Sequence, residues 1–128
     1  MKSKTNGVPE GFPKLDSRES FEDCSFNYAL GLIGGKWKPT ILYCIANGAN
    51  RFGVMQRCIP LISKQMLTTQ LRELEEDGIV ERKVYAEVPP RVEYNITPNG
   101  ASVLPLLEAI NQWGKEQMKL KRGTESLA

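Results

Sequence analysis

The chain has 128 residues, of which 41% are hydrophobic and 25% are charged, and its formal net charge is +2. These values are typical of one soluble globular domain. The chain contains no histidine, which excludes catalytic relays and metal sites built on imidazole. Its three cysteines, Cys24, Cys44 and Cys58, are too widely spaced for a zinc-binding CxxC pair. We therefore expect no enzyme, no metal and no cofactor.

The sequence also indicates where the protein resides. No apolar run approaches the roughly 20 residues that a membrane-spanning helix needs. An odd number of cysteines in a chain without a signal peptide is typical of a reduced compartment. We expect a cytoplasmic protein that has no membrane partner.

The first 20 residues mix charged residues with glycine, proline and serine and have no sustained periodicity. They predict a flexible N-terminal extension, followed by a single domain over residues 21–122. Apolar residues at helical spacing then predict a first helix that ends at Gly34 and a second helix over about residues 36–48.

The segment from 51 to 97 carries the main structural signal. A short helix is closed by Pro60, and Ser63 is a suitable N-cap for a helix over about 63–77. Residues 79–97 are rich in valine, isoleucine and tyrosine and contain two adjacent prolines, which predicts a hairpin with a stiff tip. This order of elements predicts an α+β, mainly helical fold: a winged helix-turn-helix with additional N- and C-terminal helices.

The last predicted helix covers about residues 98–121. Thr97 and Pro98 form a plausible cap and first helical position, whereas Pro105 should kink the helix or shift its true start. Residues after 121 are expected to fray. One face of this helix carries a broad apolar stripe formed by Val103, Leu106, Leu107, Ile110 and Trp113.

The helix over 63–77 has two distinct faces. At about 100° per residue, Leu67, Leu71 and Leu74 fall on one seam, and the polar residues of the first turns fall opposite. Acidic residues crowd the end of the helix rather than its start, which is opposite to the usual helix-dipole preference. A recognition helix that faces phosphates explains this distribution, and a solvated amphipathic helix is the alternative.

We predict that DNA contacts come from the second helix, the helix-turn-helix and the wing. The candidates are Lys36, Lys38, Arg51, Ser63, Lys64, Gln65, Thr68, Thr69, Arg72, Lys83 and Arg91. Serine, threonine and lysine are suited to phosphates, and glutamine and arginine can read base edges. Lys36 and Lys38 could instead solvate a helix start. Arg91 could instead form an ion pair with Glu87 or Glu93, and Arg82 is a further basic residue of the wing.

Three stretches of the sequence resemble the HxlR family of bacterial winged-helix transcription regulators, which are distant relatives of the MarR group. They are LIGGKWK at 32–38, the segment 71–100 containing DGIVERKVYAEVPPRVEYNITPNG, and LLEAINQWG at 106–114. The resemblance implies a homodimer formed largely by the first and last helices, bound to an inverted repeat in double-stranded DNA. The apolar stripe of the last helix fits this expectation, and closure of the monomer core is the other explanation for it.

The same resemblance implies a thiol switch. Many members have a cysteine immediately before the first helix, which is the position of Cys24, although the family often has proline next and this chain has Ser25. A helix N-terminus favours the reactive thiolate, whereas the adjacent Glu22 and Asp23 oppose it. Cys58 is the candidate second thiol, reaching across the dimer, and Cys44 is expected to be buried and inert.

The predicted function is a sequence-specific, homodimeric transcription regulator, most simply a repressor, with an oxidant, electrophile or small-molecule effector. The first alternative is a winged-helix module that binds proteins and not DNA. The second, a small enzyme, lacks a supporting motif, because GLIGGKW at 31–37 is one residue short of a phosphate-binding loop and follows a helix.

Overall fold

The computed structural model describes residues 7–14 and 24–127, with side chains up to residue 124. The expected start of the domain at residue 21 lies outside the described residues, as does most of the expected extension. The helices are α1 (Ser25–Ile33), α2 (Lys38–Ala46), α3 (Phe52–Cys58), α4 (Lys64–Glu76), α5 (Pro98–Ala101) and α6 (Leu104–Leu127). The strands are β1 (Val80–Tyr85) and β2 (Arg91–Ile96). This is the predicted mainly helical winged fold.

Helix α4 begins and ends within one residue of the bounds that its sequence predicts. The Ser63 hydroxyl oxygen accepts a hydrogen bond from the Met66 N–H at 3.0 Å, which satisfies one of the free N–H groups of the first turn. At the other end, Gly78 has a φ of +73°, a conformation that glycine adopts without steric cost. The chain therefore leaves α4 sharply and enters the wing.

The wing is an antiparallel hairpin in which Val80 pairs with Ile96 and Tyr85 pairs with Arg91. The N–H of Tyr94 donates to the Asn50 carbonyl at 2.9 Å. This bond fastens β2 to the loop between α2 and α3. The wing is thereby attached to the body of the domain as well as to the end of α4.

The hairpin meets the C-terminal helices at a compact junction around Thr97. The Thr97 hydroxyl donates to the Gly78 carbonyl at 2.6 Å and accepts the Gly100 N–H at 2.9 Å. Gly100 is buried, and a Cβ atom there would overlap the carbonyl oxygen of Ile79. This position therefore requires glycine because the two backbone segments touch.

The core lies where α2, α3, α4, the base of the wing and the start of α6 meet. The leucine seam of α4 is buried, and α2 contributes Ile41, Leu42 and Ile45. The buried hydrophobic residues are Ile41, Leu42, Ile45, Met55, Ile59, Ile62, Leu67, Leu71, Leu74, Ile79, Val80, Val103 and Leu107. None of them belongs to α1, and they place one side of α4 firmly inside the protein.

The C-terminal region differs from its prediction. The single helix expected over 98–121 is two helices, because Pro105 occupies the second position of α6, where its missing N–H costs nothing. The proline thus shifts the start of the helix and does not kink it. At the other end α6 continues to Leu127, past the expected fraying point, so its 24 residues span about 36 Å.

The turn between α3 and α4 contains a backbone outlier. Leu61 has a φ of +70°, and its side chain is 94% exposed, so no burial compensates for this conformation. A left-handed conformation costs a non-glycine residue about 1–2 kcal/mol, and a glycine loses more entropy on folding, by about 0.5–1 kcal/mol.

We predict that Leu61→Gly raises the free energy of unfolding by about 0.5–1 kcal/mol, measured by urea denaturation. Leu61→Ala keeps the Cβ atom and should change little, and equal stability of both variants would contradict the prediction.

Candidate nucleic-acid interface

The side of α4 opposite the leucine seam is open to solvent in the single chain. Its exposed polar residues are Ser63, Lys64, Gln65, Thr68, Thr69 and Arg72, which we call the recognition face. Among the residues that the structure describes, the side chains of Lys64, Gln65, Thr69 and Arg72 have no hydrogen-bond or ion-pair partner. The Thr68 hydroxyl donates to the Lys64 carbonyl at 2.8 Å, and its oxygen can still accept a hydrogen bond.

The electrostatics of α4 change along its length. Its first turn contains no acidic residue, so the positive end of the helix dipole and the free N–H groups are next to Lys64. Glu75, Glu76 and Asp77 are exposed at the other end. The start of the helix is therefore the part that can accept an anion.

A groove of about 380 Å³ separates α4 from the wing. It is lined by Phe52, Thr68, Leu71, Arg72, Glu75, Arg82 and Tyr94. Arg72 and Arg82 form no ion pair within the described part of the chain. One groove is thus lined by an unpaired cation of α4 and an unpaired cation of the wing.

Arg82 was the basic residue of the wing that the sequence-based candidate set omitted. Val80 is buried, and Arg82 follows two residues later on the same strand, so both point to the side of the sheet that faces α4. Arg82 also pairs in register with Tyr94, another residue of the groove. The period-two pattern of β1 was the signal that could have identified it.

Arg91 is held at the base of the wing tip. Its guanidinium contacts the carboxylates of Glu87 and Glu93, each at 3.0 Å, and lies 4.0 Å from the centre of the Tyr85 ring. The ion pairs considered for Arg91 are therefore present, and both candidate partners are used. A direct DNA contact by Arg91 stays a prediction, but in this arrangement it would have to compete with two carboxylates.

The other basic candidates differ in how accessible they are. Arg51 is exposed and reaches Glu93 at 3.5 Å, which places it beside Arg91 near the wing. Lys83 is exposed on the outer side of β1. Lys36 is exposed, with its ammonium 4.8 Å from the centre of the Trp37 ring. All three remain accessible to a polyanion.

The prediction that Lys38 contacts DNA or solvates a helix start is wrong. Lys38 is buried, with 7% of the residue exposed, and its ammonium is 2.8 Å from a Glu73 carboxylate oxygen. It also donates to the Gly31 carbonyl at 3.5 Å. Glu73 binds Lys38 because its side chain faces α2.

The three cysteines occupy different environments. Cys24 is the N-cap residue of α1 and is partly exposed, and Cys58 ends α3 and is exposed. Cys44 is partly buried against the core. Burial and the neighbouring Cys58 raise the pKa of the Cys44 thiol, which disfavours its reactive thiolate and agrees with an inert role.

Helices α1 and α6 expose large apolar side chains to solvent in the single chain. Apart from tyrosine and tryptophan, these residues have no polar group to hydrate. They are Phe26, Tyr28, Leu30, Leu106, Ile110, Trp113, Met118 and Leu120. Contiguous exposed apolar residues typically mark an interaction surface. Across the described residues, no helix is long and apolar enough to cross a membrane.

The sequence of the chain is similar to those of known transcriptional regulators. A family model described as HxlR-like helix-turn-helix matches residues 32–122. A protein of Methanothermobacter thermautotrophicus, described as an HTH-type transcriptional regulator, is 51% identical over 92 residues, which are 72% of this chain and 70% of that protein. The HTH-type transcriptional regulator YdeP of Bacillus subtilis is 43% identical over 100 residues, which are 78% of each chain.

Solved structures agree with the sequence comparisons. The redox regulator HypR in its oxidized form matches with a TM-score of 0.70 at 45% identity, covering 73% of this chain and 96% of that one. Diamide-treated YodB of Bacillus subtilis matches with a TM-score of 0.60 at 34% identity, covering 70% and 88%. The family and these relatives are transcriptional regulators, which confirms that the chain is not an enzyme. The chain belongs to the HxlR-like helix-turn-helix family.

Proposed function

We propose that this protein is a homodimeric, sequence-specific DNA-binding repressor whose affinity for its operator falls on oxidation. The observation that carries the proposal is the open recognition face of α4, which presents two unpaired cations and several neutral polar groups beside a groove. The relatives are described as HTH-type transcriptional regulators, which supports the same function.

The DNA contacts divide into two groups by chemistry. Gln65 and Arg72 have side chains that can form two parallel hydrogen bonds with a base edge in the major groove. Ser63, Lys64 and the first N–H groups of α4 are suited to phosphate oxygens. Thr68 and Thr69 lie on the same exposed face and can bond to either. Arg82, Lys83 and Arg51 are accessible to the backbone near the wing, whereas Lys38 is excluded by its burial.

A second copy of the chain is proposed to pack against the exposed apolar residues on α1 and α6. Helix α1 has no buried residue in the single chain, so its own domain does not account for Phe26 or Tyr28. On α6, Leu106, Ile110 and Trp113 recur at a spacing that places them on one face. Two-fold pairing through these faces would set two recognition helices about one DNA turn apart on an inverted repeat.

The redox part of the proposal rests on Cys24. It lies at the N-terminus of α1, a helix that is proposed to contribute to the dimer interface. The thiols of Cys24 and of Cys58 in the second copy would be oxidised to one disulfide, with hydrogen peroxide as oxidant reduced to two molecules of water. The similarity to the redox regulator HypR, solved in oxidized and reduced forms, supports this assignment.

The DNA contacts are tested with Arg72→Ala. If Arg72 reads a base, we expect the variant to lose about 1–3 kcal/mol of binding to the selected operator, with little change on random DNA. Fluorescence anisotropy over a series of salt concentrations measures both affinities, and wild-type binding should weaken steeply with salt because counterions are released. Equal losses on both DNAs would make Arg72 a phosphate contact. Wild-type protein that selects no duplex from a random pool at low salt would favour a protein-binding module instead.

The dimer is tested with Ile110→Glu. A carboxylate in the proposed interface is costly to desolvate, so we expect a shift from dimer to monomer in sedimentation equilibrium and weaker operator binding. Lys119→Glu introduces the same residue on the opposite face of α6, where it should leave the dimer intact. A dimer that persists at micromolar concentration in Ile110→Glu would contradict the assigned interface.

The redox response is tested with Cys24→Ser and Cys58→Ser. Treatment of the wild-type protein with hydrogen peroxide should lower operator affinity and produce a disulfide-linked dimer on non-reducing gels. We expect both variants to lose the linked dimer and to retain operator affinity after treatment. If Cys24→Ser responds to peroxide as the wild type does, Cys24 is not the sensor. If Cys58→Ser responds normally, another group is the partner of Cys24.

A further inference from the structure

Lys38 lies at a point where three helices meet. It is the first residue of α2, its ammonium forms the 2.8 Å ion pair with Glu73 of α4, and it donates to the Gly31 carbonyl of α1 at 3.5 Å. The Lys38 side chain is only 9% exposed, whereas that of Glu73 is 45% exposed. Burying an ammonium is costly unless it is paired or hydrogen-bonded, and these two contacts provide both kinds of partner.

Helix α1 contributes little to the apolar core. None of its residues is buried, and its last residue, Ile33, is only partly buried against the core. Its position relative to α4 is therefore not fixed by a packed apolar face. The Lys38 ammonium contacts both α1 and α4.

Glu73 connects this point to the recognition face. It lies on the same helix one turn after Thr69 and directly after Arg72. If a change in the Lys38–Glu73 contact shifts the backbone of α4 against α2, the exposed side of the same helix moves with it. A tilt of this kind alters base contacts more than phosphate contacts, because bidentate base contacts require exact alignment.

We propose that Lys38 is a positioning residue that couples α1 to the recognition helix, so that the placement of α1 and the fit of α4 to its operator depend on each other. This inference rests on the proposed DNA-binding function and goes beyond it by naming the connection between the two helices. Coupling of this kind is reciprocal: if α1 biases α4, then DNA bound to α4 must also affect α1.

The test uses the full-length protein and Lys38→Met, which keeps a long unbranched side chain and removes the charge. We expect affinity for the selected operator to fall about 5- to 150-fold, the usual range for coupled sites, while affinity for random DNA stays constant. Lys115→Met removes the same charge from an exposed position on α6 and serves as the matched control. Thermal unfolding and sedimentation identify any general loss of fold or dimer.

A second measurement separates coupling from simple stabilisation. Hydrogen exchange of the α1 amides is compared with and without operator DNA at saturating concentrations. In the wild type and in Lys115→Met, bound DNA should slow exchange in α1. In Lys38→Met this protection should be lost while α4 remains protected by the DNA.

Glu73→Gln is a second variant that covers the case in which Lys38→Met does not fold. Its amide oxygen can still accept the Lys38 hydrogen bond, so we expect a smaller loss of operator affinity and partial protection of α1. If α1 is protected equally in Lys38→Met, or in Glu73→Gln where only that variant folds, the coupling proposal is overturned while the DNA-binding proposal stands. If the wild type selects no operator, the DNA-binding proposal itself fails.

Discussion

The packing of the leucine seam of α4 against the core is the constraint on which the remaining structure depends. Leu67, Leu71 and Leu74 are buried, and replacing one such leucine by alanine typically costs about 2–5 kcal/mol. Because a helix has fixed angular spacing, burying this seam forces the opposite residues outward. The recognition face is therefore exposed as a geometric consequence of core packing. Core packing does not constrain which side chains occupy this face.

Much of the fold could be predicted because its signals are local. The Ser63 cap, the leucine spacing of α4 and the alternation in the hairpin each depend on residues within one element, so periodicity and capping chemistry identify them. Pro105 was recognised as a disturbance, but only the structure shows that it starts α6. The extension of α6 to Leu127 was not anticipated, since a polar helix end carries no stop signal that distinguishes it from a frayed one.

The candidate site was less predictable because its charged residues form ion pairs with residues on other elements of the fold. Lys36 and Lys38 look equivalent in the sequence, yet one is exposed and the other is buried against Glu73. Glu73 follows Arg72 directly in the sequence, but its side chain extends from a different side of α4 and faces α2. The sequence allowed Arg91 either a DNA contact or an ion pair with Glu87 or Glu93. Its pairing with both carboxylates became evident only from the structure of the hairpin. Composition alone cannot decide such pairings, which are set by distances between separate elements.

The hydrogen bond from Tyr94 to Asn50 has a mechanical consequence. It joins the hairpin to the loop that follows α2, while the Ile79 N–H, just before β1, donates to the Leu74 carbonyl of α4 at 3.0 Å. The hairpin is therefore attached at two points, and the distance between Arg72 and Arg82 depends on both attachments. In the proposed DNA complex, a shift of α4 would therefore carry the hairpin with it, and the contacts made by the two elements would change together.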